Sequence, residues 1–81
     1  MVKVAFHPDF QKLFFKLDKT TAEKIWKQIE KLKFNPEAGK PMRFSRKGTR
    51  ELYIVPYRLS YSYLKDEDKI ILVDLYHKNE Q

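Results

Sequence analysis

Cysteine is absent from the chain. That excludes disulfide frameworks, thiolate nucleophiles and Cys-based zinc sites. Glycine occurs only twice, and no internal repeat, low-complexity segment or linker divides the sequence. No apolar run approaches the length of a membrane span, and Val2-Lys3-Val4 does not begin a signal peptide, so the cytoplasm is the expected compartment. Two histidines and scattered acids give no metal-ligand spacing, and neither a metal nor another cofactor is expected. What is present is short: 81 residues allow one domain, 1–81, with one modest core. Aromatics at 15% help to fill it.

Charge is unevenly spread. Lys and Arg number 17 against 11 Asp and Glu, a net +6. Residues 40–58 carry Lys40, Arg43, Arg46, Lys47, Arg50 and Arg58 against Glu51 alone, so most of the excess sits in one block. Such a block suits a polyanionic partner, either nucleic acid or an acidic protein. An ordinary solvated loop has the same composition.

The hydrophobic pattern predicts the order of elements. Val2, Val4 and Phe6 alternate with Lys3 and Ala5, as in a short half-buried strand. His7-Pro8 ends it, and Pro8 suits the first turn of a helix. Phe10, Leu13, Phe14 and Leu17 then recur at helical spacing. After Asp18-Lys19, the string Thr20-Thr21-Ala22-Glu23 fits a capping box with Thr20 as N-cap. The second helix is expected to run to about Phe34, burying Ala22, Ile25, Ile29 and Leu32 with Trp26 on the flank. Pro36 ends it. Glu37 to Lys47 reads as a polar loop.

Three strands follow. In 50–55, Arg50, Leu52 and Ile54 share one side and Glu51, Tyr53 and Val55 the other. In 57–64, Tyr57, Leu59, Tyr61 and Tyr63 face the core, opposite Arg58, Ser60 and Ser62. In the last strand Ile71, Val73, Leu75 and His77 alternate with Ile70, Leu72, Asp74 and Tyr76. The last strand is apolar on both faces at its start, which places it centrally. The fold class is α+β: β-α-α-β-β-β, an antiparallel sheet with a helical hairpin on one face. The other face, bearing Arg58, is left for a partner.

This order, with Gly48-Thr49-Arg50-Glu51-Leu52, Pro56-Tyr57-Arg58-Leu59-Ser60-Tyr61 and Leu75-Tyr76-His77-Lys78, resembles the RelE/ParE superfamily of toxins from type II toxin–antitoxin pairs. The likeness covers nearly the whole chain. It implies one of two activities. RelE-like members cut mRNA in the ribosomal A site, whereas ParE-like members inhibit DNA gyrase without nuclease residues. The Gly-Thr-Arg-Glu-Leu string is similar to the ParE-like side. In the YoeB-like nucleases an arginine on the third strand and a histidine near the C-terminus belong to the active site, and Arg58 and His77 stand at those positions. The chain departs from those nucleases in ending Lys78-Asn79-Glu80-Gln81, without a terminal tyrosine.

Metal-free RNA cleavage needs a base for the 2′-hydroxyl, cations for the phosphorane, an acid for the leaving 5′-oxygen and a splayed scissile base. Arg58 suits the second role, or pairs with Glu51 or Asp74 on the sheet surface. His77 suits the acid or base role, or packs beside Tyr57 or Tyr76. Lys78 assists by charge or is a solvated terminus. Arg43, Arg46, Lys47 and Arg50 form a candidate phosphate track, and Tyr53 or Tyr76 a stacking surface.

The expected function is therefore a toxin acting as an mRNA endonuclease, with gyrase inhibition as the alternative and a binding-only module as a third reading. Its implied partners are the ribosome and mRNA, or gyrase, and a cognate antitoxin. The antitoxin would be an acidic, partly disordered helix whose carboxylates meet Arg50 or Arg58. A nuclease site that uses both Arg58 and His77 requires them to reach the same side of the sheet.

Overall fold

The computed structural model describes residues 2–41 and 48–77. Strand β1 (Lys3–Phe6) leads into helices α1 (Pro8–Phe15) and α2 (Lys19–Leu32). Strands β2 (Lys40–Pro41), β3 (Arg50–Ile54), β4 (Tyr57–Leu64) and β5 (Lys69–His77) follow. A single 3₁₀ turn, Lys65–Glu67, joins β4 to β5 and closes with Asp68 in the left-handed region (φ 51°).

Both helices begin on a side-chain cap. The His7 Nδ1 accepts the backbone N–H of Asp9 at 3.1 Å, and Pro8 occupies the first turn, where its missing donor costs nothing. At α2 the expected cap is displaced. Asp18, not Thr20, is the N-cap: its Oδ2 accepts the Thr21 N–H at 3.2 Å, and the helix starts at Lys19. Aspartate caps as well as threonine, and starting earlier adds hydrogen-bonded residues. The helix also stops sooner than Phe34, with Lys33 as C-cap.

The sheet order is β1-β5-β4-β3-β2. The β3–β4–β5 meander is antiparallel, but β1 adds to β5 in parallel, so the sheet is mixed. A parallel pair needs a crossover, and here the rest of the fold supplies it. Strand β5 is thus an interior strand between β1 and β4. The 37–47 stretch is not all loop, since Lys40 and Pro41 pair with Glu51 and Arg50.

The last strand does not keep a strict alternation. Ser60 pairs with Asp74, but Tyr61 pairs with Leu72, leaving Val73 as an extra residue in a β-bulge. The bulge reverses the facing of everything before it. Ile70 and Leu72 therefore join Leu75 and His77 on one side, instead of opposing them.

That side carries the core. Ile54, Leu59, Tyr61, Ile70, Leu72 and Leu75 from the sheet pack with Phe10, Ile25, Ile29 and Leu32 from the helices, all at most 4% exposed. Each such side chain contributes about 1.5–3 kcal/mol of transfer free energy. Helix α1 lies over β5 and α2 approaches β3. Lys24 on α2 donates to the Val55 carbonyl at 2.6 Å, pinning the β3–β4 turn. Among the described residues no helix is long and apolar enough to cross a membrane.

Tyr61 ties the segment after α2 to the sheet. Its ring is fully buried, and its hydroxyl donates to the Pro36 carbonyl and accepts the Gly39 N–H, both at 2.8 Å. A Cβ on Gly39 would lie 2.6 Å from that oxygen, so only glycine fits this approach. Burial, the largest effect, raises the Tyr61 hydroxyl above its ordinary pKa, so it stays protonated and able to donate.

Two outcomes are expected. Tyr61→Phe leaves a buried N–H and a carbonyl unpaired and should lower unfolding stability by about 1–3 kcal/mol in urea titration. Asp18 has its pKa held below 3.8, first by the Thr21 side chain and then by the Thr21 N–H. A depressed folded-state pKa contributes stability above the unfolded value, which is lost as pH falls through the folded one. The stability gap between the wild type and Asp18→Ala should therefore shrink on acidification below about pH 4, as read by thermal melts across that range.

Candidate nucleic-acid interface

The register of the meander aligns three side chains in one row. Tyr53 on β3 pairs with Arg58 on β4, and Arg58 pairs with Tyr76 on β5. Directly opposed residues share a face. Because Leu59 and Leu75, one position away, lie in the core, this row points away from the helices. The next row, Glu51, Ser60 and Asp74, lies on the same face, with Glu51 and Ser60 buried within it.

Glu51 joins the two rows. Arg58 Nη1 donates to Glu51 Oε1 at 2.9 Å, and the Tyr76 hydroxyl donates to Glu51 Oε2. The carboxylate is thereby shared between a guanidinium and a phenol. Glu51 is 8% exposed, and an acid is buried to that extent only when paired. The Arg58 side chain keeps 35% of its exposure. Its Cζ stands 5.5 Å from the centroid of the Tyr53 ring, within range of a cation–π attraction. The hydrogen bond to Glu51 raises the Arg58 pKa further, so it is a fixed cation. Its Nε is buried without a hydrogen-bond partner among the described residues. Tyr53 is half exposed.

His77 does not join this cluster. It pairs with Tyr57, on the side of Leu59 and Leu75, and the two rings meet edge to face with centroids 5.5 Å apart. Arg58 and His77 therefore project from opposite faces, although both lie at the sheet end where β4 starts and β5 stops. The expected convergence of guanidinium and imidazole on one face is not formed. Its cause is parity, since Arg58 is opposed by Tyr76 and His77 is one residue on.

Arg50 also leaves the expected track. It pairs with Tyr61, on the helix side, and its guanidinium holds the segment before β2. Nη1 donates to the carbonyls of Gly39 at 2.8 Å and Glu37 at 3.2 Å, and Nη2 reaches the Glu37 carboxylate at 3.5 Å. Arg50 borders an open groove of about 470 Å³ with Pro41, Tyr63 and Lys65. Arg43, Arg46, Lys47 and Lys78 lie outside the described residues. Among the described residues no group of three or more His, Asp or Glu is gathered closely enough to hold a metal.

A second surface lies over the helices. Phe6, Phe10, Phe14 and Trp26 form a closed ring of neighbours with centroid spacings of 5.5–6.2 Å, stacked except for the tilted Phe14–Trp26 pair. Phe6 and Trp26 remain 38% exposed, and Phe15 is 81% exposed. The signal for this patch was the Phe14-Phe15 doublet, because adjacent helical residues cannot both face the core. Glu51 was legible only as a candidate partner of Arg58, since its contact with Tyr76 spans 25 residues of sequence.

A five-stranded mixed sheet with two helices on one face and a polar cluster on the other defines a small RelE-like α+β protein. Solved structures agree. The RelBE2 toxin–antitoxin complex from Mycobacterium tuberculosis has a chain that superposes with a TM-score of 0.87 at 22% identity, covering 95% of this chain and 98% of that one. A YoeB/ParE toxin from Agrobacterium tumefaciens gives 0.82 at 18% identity, covering 94% and 98%. The archaeal RelE–RelB complex from Pyrococcus horikoshii OT3 gives 0.80 at 17% identity, covering 99% and 98%. Among curated proteins no sequence matches. The sequence model of the ParE toxin of type II toxin–antitoxin system, parDE, matches residues 4–81. The chain belongs to that family of toxins.

Proposed function

We propose that this toxin acts by ribosome-dependent, metal-independent cleavage of mRNA, and that RNA docks on the open sheet face. The observation that supports this is the Tyr53–Arg58–Tyr76 row, a partly exposed guanidinium between two phenol rings. Arg58 offers a permanent charge and a planar fork to phosphate oxygens, and it stabilises the charge that gathers on the phosphorane. Tyr53 and Tyr76 offer π-faces to bases splayed out of the stack. His77 serves as a proton carrier only if the RNA backbone rounds the sheet end to reach its side.

Gyrase inhibition without nuclease chemistry is the second reading. It is favoured by the separation of Arg58 from His77 and by the Glu51 carboxylate that balances the guanidinium. The match to a ParE sequence model leans the same way.

The cognate partner in either case is an antitoxin. Related toxins were solved as complexes with theirs, as in the RelBE2 and archaeal RelE–RelB structures. The exposed Phe6, Phe15 and Trp26 side chains offer anchors for an apolar helix face, and Lys12, Lys16 and Lys27 on the same hairpin suit acids beside them.

Mapping mRNA 5′ ends shortly after induction tests the reading. New ends within translated codons are expected, and Arg58→Ala should reduce them by about 100-fold or more. His77→Ala should retain cleavage within about tenfold if RNA stays on the open face. Intact mRNA together with blocked supercoiling by purified gyrase would make the protein a gyrase inhibitor. No effect in either assay, with normal growth, would leave a binding module.

A further inference from the structure

Glu51 occupies the place that a phosphate would take on Arg58. An arginine fork binds carboxylate and phosphate with the same geometry. Here the carboxylate is supplied by the neighbouring strand, is 8% exposed, and is steadied from its other oxygen by the Tyr76 hydroxyl. The Arg58 guanidinium is also held over the Tyr53 ring. Arg58 and Tyr76 are thus already engaged with Glu51, and Tyr53 with Arg58.

We propose that Glu51 is an internal anion that holds the RNA-binding surface in a neutralised state, and that an incoming phosphate must compete with it for Arg58. This rests on the reading of the open face as the RNA-docking surface. Three features support it. Among the described residues the ion pair joins one cation to one anion, so Glu51 lowers the attraction of Arg58 for a polyanion. The Arg58 side chain keeps 35% of its exposure while paired, so an incoming phosphate can reach the guanidinium. Tyr76 bridges the device to the stacking surface: a base settling on its ring disturbs the hydroxyl that steadies the carboxylate. Glu51 is on this view a positioning residue, and the toxin face is weakly adhesive until a phosphate and a base arrive together.

Glutamine is the informative replacement. Its amide keeps the size of the side chain, an oxygen for Arg58 and a polar group for Tyr76, while the negative charge is gone. Binding is measured by fluorescence anisotropy with a short fluorescein-labelled 2′-O-methyl oligouridylate, whose blocked 2′-oxygen prevents cleavage, over a series of salt concentrations. Thermal melts establish that each variant is folded.

Glu51→Gln should bind about three- to tenfold more tightly than the wild type at low salt, with a steeper salt dependence. Arg58→Gln should bind more weakly, and Glu51→Gln/Arg58→Gln should bind no better than Arg58→Gln alone, because the acid acts through the arginine. In a cell-free translation reaction Glu51→Gln should still cleave mRNA. Affinity unchanged or reduced in Glu51→Gln, with Arg58→Gln clearly weakened, would overturn the role of Glu51 while leaving the docking surface intact. Affinity unchanged in Arg58→Gln would remove the docking surface and the proposal together. Loss of cleavage in Glu51→Gln at unaltered affinity would make Glu51 a proton acceptor rather than a competitor, and would likewise overturn it. Where Glu51→Gln melts markedly lower, Tyr76→Phe provides the second reading. It loosens the carboxylate without removing charge, and should raise affinity by a smaller factor; no rise would count against the proposal.

Discussion

The register of β4 against β5 decides what this molecule can offer. Side chains in a strand alternate between faces, so a one-residue change in pairing exchanges every partner. Here the pairing changes once, at Ser60/Tyr61, where Val73 is left over. Before the bulge Ile70 and Leu72 face the helices; after it Leu75 does so as well. Without the extra residue the apolar start of β5 and its polar end could not both be correctly placed. The bulge lets one strand close the core and still deliver Tyr76 to the open face.

The same register sorts the chemistry. Arg58, Tyr53, Tyr76 and Glu51 are brought to one side from three strands, and Glu51 becomes a nearly buried acid on the face turned away from α1 and α2. Burial of that charge is tolerable because two donors meet it. Arg50 and His77 are sent to the other side, where one fastens the segment before β2 and the other packs against Tyr57. The described cations of the basic block therefore do not form one surface: Lys40 is exposed on β2, Arg50 fastens the segment before β2, and Arg58 on the opposite face is matched by Glu51.

Most of the architecture was legible in the residues. The helical stripe Ile25, Ile29 and Leu32, the tyrosine face of β4 and the order of the elements follow from side-chain periodicity, which is a local property. Pairing of Arg58 with Glu51 was among the readings open at that level, as was packing of His77 beside Tyr57. The helix cap at Asp18 was misplaced because two cap signals lie within three residues. The short strand at Lys40–Pro41 was invisible because its two residues pair only once β3 is present to receive them.

Local pattern thus determined which segments are helix or strand, which side chains reach the core from α2 and β4, and which family the motifs resemble. Tertiary structure decided the parallel docking of β1 on β5, the bulge at Val73, the engagement of Arg50 by the 37–39 segment and the separation of Arg58 from His77. These depend on contacts between residues far apart in the chain, and strand register is settled by the best joint burial of several strands rather than by any one of them. A period-2 pattern reads the same with or without an extra residue in its partner, so the side of the sheet on which His77 and Tyr76 emerge could be known only once β4 and β5 were paired.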